Sequence, residues 1–433
     1  MQTEYTKCPP DCKSFLYERQ NPQECVLVRD VTHIGTNSMT VYLDHHATTP
    51  TDPRVLAAML PYFTEQFGNP SGLSHSYGLQ AGDALEAARQ QVATFVGAKR
   101  DEIVFTSGAT ESNNIALLGT ARRWTERFGQ REKPLIFLSD AEHPSIAIPA
   151  QWLESDGFGI ERISLDSQAE MDIPDLVCRL RANAQRTLMV CMQLANSETG
   201  TIYPVAEIGA LCHELHIAFH VDATQAPLWL PIDVNAFHAT TLALSAHKMH
   251  GPKGTGILFI RHDPDSPTLT PTPLMGGGSQ ENGMRPGTQN LPAIIGTALA
   301  CRLAAEERTA DGARVAGLRD ELARGLTVAF PDAVIHGTMQ HRLPNNLSIG
   351  FPCLPQLPHP FAYYLTDIAV SATSACCSGH HASSKLLAKI GVSQALARNS
   401  LRMGLGRFTT EDEIQIAIAI IVQTINKFRH QAL

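Results

Sequence analysis

The sequence predicts an α/β fold: a mainly parallel β-sheet covered by helices on both faces, with a smaller α+β domain at the C-terminal end. Three observations predict it. From residue 50 onward, short apolar runs rich in β-branched residues alternate with amphipathic stretches of helical period. The polar clusters "TSGATES", "DAEH", "ANSETG", "DATQ" and "SAHK" each follow one of those runs, the edge at which open α/β sheets form their ligand crevice. A Gly- and Pro-rich crossing, "PTPLMGGGSQENGMRPGTQN", then separates the alternating region from a differently patterned one.

The elements follow in order. Residues 1–40 hold Cys8, Cys12 and Cys25 among prolines and polar residues and read as an appendage, because the first periodic strand is "MTVYLD". "DPRVLAAMLPYF" and "AGDALEAARQQVATFVG" carry their apolar residues at helical spacing. Next come the strand "EIVFTS", the helix "ESNNIALLGTARRWTERFG", the strand "PLIFLS" and a helix near 145–155. The alternation continues through "GIERISL", the helix "DIPDLVCRLRAN", the strand "TLMVCMQLA", the helix "PVAEIGALCHELH", and the strands "IAFHVDA", "TTLALSA" and "TGILFIR". Residues 41–290 are thus read as a large domain and 291–433 as a small one. The small domain is expected to hold a long helix from about 292, the strand "NNLSIGF", a helix over "PFAYYLTDIAV", the small-residue segment "SATSACCSGHHASS", and a final helix from Glu411 capped by the threonines of "RFTT".

Composition narrows the function. A formal charge of −8 without a basic block leaves no electrostatic footprint for nucleic acid or an anionic membrane, so a small ligand or a protein partner is expected. The ten cysteines are spread through a long chain without an export signal, and Cys178, Cys191, Cys212 and Cys301 sit in apolar patterns expected of buried thiols. With no apolar run of membrane-spanning length, the protein reads as cytoplasmic, in a reducing compartment. The spacing of Cys8, Cys12 and Cys25 is weak support for a metal site, and free or locally packed thiols are the simpler reading.

Several residues carry chemistry. The turn "FTSGATESNN" can aim backbone N–H groups and the Thr110 hydroxyl at a phosphate, although Ser or Thr ahead of Glu can be only a helix cap. Asp222 ends an apolar strand, where a carboxylate needs a partner; a protonated ring nitrogen or a basic side chain would serve, and a turn aspartate is the alternative. Lys248 follows another strand end, with Ser245 and His247 beside it, placed to form a Schiff base while its neighbours hold a phosphate. His143, at a third strand end, can stack on a ring and transfer a proton, or be a satisfied loop residue. Together they point to pyridoxal 5′-phosphate. Cys376 and Cys377 lie in a small-residue segment that reads as a mobile exposed loop, and Arg402 is either a carboxylate clamp or a structural ion pair.

The segments "YLDHHATTP", "FGNPSGLSHSYG", "FTSGATESNN", "AEH", "NSETG", "HVDATQ", "SAHKMHGPKGTGILF", "GGGSQENGMRPGTQN", "SATSACCSG" and "SLRMGLGRFTTEDEI" together resemble the cysteine desulfurases of the NifS/IscS type, among the class V aminotransferase-like, fold-type I pyridoxal-phosphate enzymes. The resemblance runs from about residue 41 to the C-terminus. It implies a seven-stranded sheet in the large domain, a homodimer, and conversion of L-cysteine to L-alanine. It also implies that Lys248 holds the cofactor, Asp222 pairs with the pyridine nitrogen, His143 stacks on the ring and Gln225 bonds near the phenolic oxygen. By the same resemblance, Ala109, Thr110, Ser245 and His247 hold the phosphate, joined by Thr288 from the neighbouring subunit, and Arg402 binds the substrate carboxylate.

Cys376 matches the nucleophile that takes the sulfur as a persulfide for an acceptor protein, an iron–sulfur scaffold or a thiolation partner. Two departures stand out. Asn196 is followed by Ser197 where the family usually carries a second asparagine near the phenolic oxygen, and His45 and His46 stand where small or amide residues are common, which suggests a modified pocket. Transamination or β-elimination on another amino acid would use the same cofactor residues but needs no loop thiol such as Cys376. A scaffold without turnover would need none of the set.

Overall fold

The structure, a computed structural model, describes residues 40–129, 132–262, 270–372 and 384–431. The expectations for Cys8, Cys12, Cys25, Cys376 and Cys377 lie outside the described residues. The described residues hold twelve strands: β1 (Val41–Tyr42), β2 (Ile103–Thr106), β3 (Leu135–Ser139), β4 (Gly159–Ile163), β5 (Thr187–Gln193), β6 (Ala218–Asp222), β7 (Thr241–Ser245), β8 (Gly256–Ile260), β9 (Val334–Ile335), β10 (Asn346–Gly350), β11 (Ile368–Ala369) and β12 (Ser400–Gly404).

Seven of them form the large sheet in the order β2-β8-β7-β6-β5-β3-β4. Only β8 runs against its neighbours, pairing antiparallel with both β2 and β7. The other six therefore end at one edge of the sheet. Every residue of β3, β5, β6, β7 and β8 is buried, as expected of strands covered on both faces, whereas edge strand β4 is half-exposed over four of its five positions. Each fully buried Val, Leu, Ile or Phe contributes about 1.5–3 kcal/mol of transfer free energy.

A second sheet, β12-β10-β9, is antiparallel, with Ser348 opposite Arg402. The 39-residue helix Leu291–Ala329 packs against both the helix Ser76–Val96 and the C-terminal helix Glu411–Gln431. No helix among the described residues is long and apolar enough to cross a membrane.

Two expectations need correction. The helix expected over 360–370 is only a short turn, Phe361–Tyr364, followed by β11, which pairs parallel with β1. Ile368 is β-branched, and the carbonyls on either side of it, Asp367 and Ala369, accept the N–H groups of Val41 and Leu43, so a long-range pairing overrides the local helical pattern. The "MTVYLD" strand accordingly lies outside the large sheet. Cys178 is exposed, unlike Cys191, Cys212 and Cys301. Its helix, Ile173–Asn183, buries Leu176 and Leu180 one turn apart, and Cys178 lies midway between them on the opposite face.

Two glycines set the turn after β2. Gly108 has φ +155°, open only to glycine, and it begins the helix Ala109–Asn114, which continues to Phe128 through an i→i+5 bulge at Ile115–Gly119. A Cβ on Gly256 of β8 would sit 2.5 Å from the Gly108 backbone. We expect Gly256→Ala to lower the unfolding free energy by about 1–3 kcal/mol in urea titrations, because backbone on both sides has to shift. An unchanged midpoint would show that the sheet edge yields freely.

Candidate active site

The ends of five of the six co-directional strands, β2, β3, β5, β6 and β7, line a cavity of about 480 Å³. Its walls include Ala109 and Thr110 after β2, His143 after β3, Ser197 after β5, Asp222 and Gln225 at the end of β6, and Ser245, His247 and Lys248 at the end of β7. Arg402 reaches the same cavity from β12. The cavity thus brings together ten of the residues named from the sequence. Asn196 and Thr288 are not among the cavity walls. Asn196 is buried behind it, its Oδ1 accepting the N–H groups of Glu198 (2.7 Å) and Thr199 (2.9 Å), which closes the turn that presents Ser197. Thr288 is exposed.

Asp222 is held by neutral donors. Its Oδ2 accepts from Asn113 Nδ2 at 2.8 Å and its Oδ1 from the Thr224 backbone N–H at 3.0 Å and the Thr224 hydroxyl. The same Asn113 Nδ2 donates to Ser145 Oγ at 2.8 Å, while Asn113 Oδ1 faces His220 Nε2 at 3.0 Å. Burial keeps His220 neutral with a pKa of about 4, so Nε2 carries the proton and Nδ1 accepts from Thr241 Oγ1. Hydrogen bonds thus fix the carboxylate, which lines the cavity. Asn113 and Thr224 escaped the sequence reading. Asn113 stood in the quoted turn, but nothing local distinguishes it from Asn114, whose amide bonds only main-chain oxygens.

His143 caps the helix Pro144–Ser155. Its Nδ1 accepts the Ser145 N–H at 3.1 Å, which leaves the proton of the neutral ring on Nε2. Burial lowers its pKa below the ordinary histidine range; the Asp222 charge opposes that shift and Lys248 adds to it. Lys248 Nζ donates to the main-chain oxygens of His46 and Ala47, the latter at 2.7 Å. His247 Nδ1 bonds Thr48 Oγ1 at 3.0 Å, and burial lowers its pKa to about 4.

Arg402 is an ion pair and an open donor at once. Its Nη2 contacts Asp44 Oδ1 at 2.7 Å and Ser371 Oγ at 3.0 Å, and Ser371 donates to Asp44 Oδ2 at 2.9 Å. Its Nε is buried without an acceptor among the described residues. Such a donor is costly to leave unpaired and fits an anionic ligand group. Asp44 and Ser371 were also missed, since they stand 358 and 31 residues from Arg402.

The two histidines of "YLDHHATTP" pack on glycines. A Cβ on Gly404 would lie 2.5 Å from His46 Cδ2, and one on Gly406 2.4 Å from His45 Cε1. His46 is fully buried and bonded to Gln225 and Asn346. His45 stands edge-on to Tyr42. Burial lowers the pKa of both to about 3.

A family model, "Aminotransferase class-V", matches residues 41–416. A curated relative, cysteine desulfurase IscS of Anaeromyxobacter dehalogenans strain 2CP-C, is 40% identical over 392 residues, covering 90% of this chain and 94% of that one. A solved structure titled NifS-like protein superposes with a TM-score of 0.80 at 32% identity, over 90% of this chain and all of its own. Another, titled SspA in complex with cysteine, gives 0.71 at 29% identity, over 86% and 100%. The chain belongs to the class-V aminotransferase family, in which catalysis depends on pyridoxal 5′-phosphate. Within that family its likeness is to the IscS and NifS branch.

The residues present fit that cofactor. The Asp222 carboxylate faces the cavity for a ring nitrogen, an amine stands at Lys248, and first-turn N–H groups behind Gly108 join hydroxyls of Thr110 and Ser245 for a phosphate.

The buried histidines also set a pH dependence. His45, His46, His220, His247, His250 and His336 all have pKa values lowered to about 3 or 4, so each is neutral in the fold and takes up a proton on unfolding below about pH 6.5. Their stabilisation is complete above the unfolded value and is lost as pH falls toward 4. Glu142 and Glu198, whose pKa values burial raises, oppose this in the same window. The histidines outnumber them, so urea titrations are expected to show lower stability at pH 5 than at pH 7, each uncompensated proton costing about 1.4 kcal/mol per pH unit. Equal stability at both values would contradict the neutral assignments.

Proposed function

We propose that the protein is a cysteine desulfurase that converts L-cysteine to L-alanine and passes the sulfur, as a persulfide on Cys376, to an acceptor protein. The observation that carries this reading is the convergence of Lys248, Asp222, His143 and Arg402 on one cavity. The titles of the similar proteins name the same activity and, in one case, bound cysteine. Residues 41–290 form the cofactor-binding domain in this reading, and 291–433 the domain that brings Arg402 and Cys376 to it.

Bound here, pyridoxal 5′-phosphate supplies a ring that accepts electrons from the carbon next to the amine. Asp222 would hold the proton on its pyridine nitrogen, His143 would pack against the ring, and Gln225 and Ser197 would serve the phenolic oxygen. Ala109, Thr110, Ser245 and His247 hold the phosphate, with the partner subunit's Thr288. Arg402 anchors the substrate carboxylate through the edge that carries its unpaired Nε, with Asp44 fixing the other end of the guanidinium. Lys248 Nζ takes the α-proton and, with His143, returns protons to the product carbon. The Cys376 thiolate forms a bond to the substrate sulfur as the carbon–sulfur bond breaks. That electron pair stays with the three-carbon skeleton, which is protonated and leaves as alanine.

The homodimer has support in a run of large apolar side chains left exposed between Leu56 and Leu79, including Phe63, Phe67 and Leu73. Several large apolar side chains exposed along one stretch of chain suit burial against a second copy. In this reading the protein works in the cytoplasm. Iron–sulfur scaffolds and thiolation proteins are both suitable acceptors of a persulfide.

Borohydride reduction of the yellow holoenzyme is expected to fix the cofactor on Lys248, as peptide mapping will read; an adduct on another lysine refutes the assignment. After a brief L-cysteine pulse, mass spectrometry should find one extra sulfur on the Cys376 peptide. Cys376→Ser should abolish it while keeping the visible band, and Cys377→Ser should retain substantial turnover. Pyruvate and free sulfide without a protein persulfide would sink the desulfurase mechanism.

Arg402→Ala is expected to weaken productive cysteine binding by roughly 2–5 kcal/mol while leaving the visible band in place. Steady-state kinetics will read this as a loss in kcat/KM, and unchanged cysteine kinetics would leave Arg402 a structural partner of Asp44.

A further inference from the structure

The unusual His46 sits in a chain of hydrogen bonds whose polarity can be read from one end. Arg342 is buried and can only donate. Its Nη1 lies 2.9 Å from Asn346 Oδ1, so the carbonyl end of that amide must face it. Asn346 Nδ2 also donates to the Glu198 main-chain oxygen at 3.3 Å, which holds the amide in the same sense. The same Nδ2 therefore points at His46 Nε2, 3.0 Å away, and donates to it. An imidazole that accepts at Nε2 carries its proton on Nδ1, and His46 Nδ1 is 3.1 Å from Gln225 Oε1. Gln225 Nε2 then lies on the other side, donating to the His46 main-chain oxygen at 3.2 Å. Gln225 itself is part of the cavity wall.

We infer that His46 is a positioning residue that fixes the Gln225 amide so that its N–H end, not its carbonyl, is available to the cavity. The orientation of an isolated glutamine amide is ambiguous, but here it is dictated by a donor-only arginine three links away. Burial, with the nearby Arg402 and Lys248 charges, keeps His46 neutral at a pKa of about 3, so protonation does not scramble the relay near neutrality. The consequence is chemical. An amide N–H stabilises an oxyanion and a carbonyl repels one, so the chain from Arg342 selects for negative charge at the ligand atom beside Gln225. This rests on the proposed reading, in which that atom is the phenolic oxygen of pyridoxal phosphate.

Two measurements test it. Histidine-selective ¹H–¹⁵N NMR of the full-length protein, with His46 assigned by its loss in His46→Ala, is expected to show the neutral Nδ1–H form from pH 7 to 5. An Nε2–H form, or titration near pH 6.5, overturns the relay without reference to any cofactor. In the holoenzyme, a hydrogen bond to the phenolic oxygen favours the deprotonated form of the chromophore. His46→Ala should therefore raise the pH midpoint of the visible band by about one unit, the size of a lost hydrogen bond to a charged group.

The same substitution in a Gln225→Ala background should add little, because His46 acts through Gln225. An equal shift in both backgrounds, or none in either, overturns the inference while leaving the proposed function intact. A protein with no reducible band at Lys248 overturns both. Asn346→Ala, which removes the donor to Nε2, provides the same reading should His46→Ala fold poorly.

Discussion

Residues 43–52 have to bond two parts of the molecule at once, and the site exists because they do. On one side, His45 N–H bonds Gly404 O, Gly404 N–H bonds Leu43 O, and Asp44 pairs with Arg402, all on β12. On the other, Thr49 N–H and Oγ1 bond His247 O, Asp52 N–H bonds His250 O, and His250 N–H bonds Thr49 Oγ1, all just past β7. Between these attachments lie the carbonyls of His46 and Ala47, to which Lys248 donates. Loosening either side would let Lys248 and Arg402 drift relative to one another, although neither belongs to the strap.

Charge secures the far end of that strap. Asp52 is buried and pairs with Arg54 and Arg407; its hydrogen bonds to Arg54 come first among the causes that lower its pKa to about 2. Arg407 also reaches Glu307 and Asp311 on the long helix. A buried guanidinium with three carboxylates is expensive to assemble but strongly directional. It ties the strap, the long helix and the segment after β12 to a common point.

Much of this architecture could be read from the chain because the relevant signals are local. Most strands of the large sheet are short apolar runs, and each catalytic candidate on it lies at or soon after a strand end, so Asp222, His143 and Lys248 needed only the general rule that such sheets bind ligands there. What was not legible was pairing across distance. β11 looks helical until β1 is placed beside it, and Cys178 looks buried until the helix face is fixed by Leu176 and Leu180. Arg402 could not be resolved between clamp and ion pair because Asp44 is 358 residues away. Asn113 was hidden for a different reason: its value lies in bridging Asp222, Ser145 and His220, and no single neighbour announces that.

The stacking of His45 and His46 on Gly406 and Gly404 constrains how this pocket can change over generations. Each ring occupies the volume in which a side chain on the facing glycine would grow. A descendant that replaces Gly406 while His45 is intact meets a steric block, whereas one that first trims His45 opens room for a larger residue at 406. The two positions can therefore exchange bulk only in one order, and a lineage that has acquired the histidines is held to the glycines for as long as it keeps them.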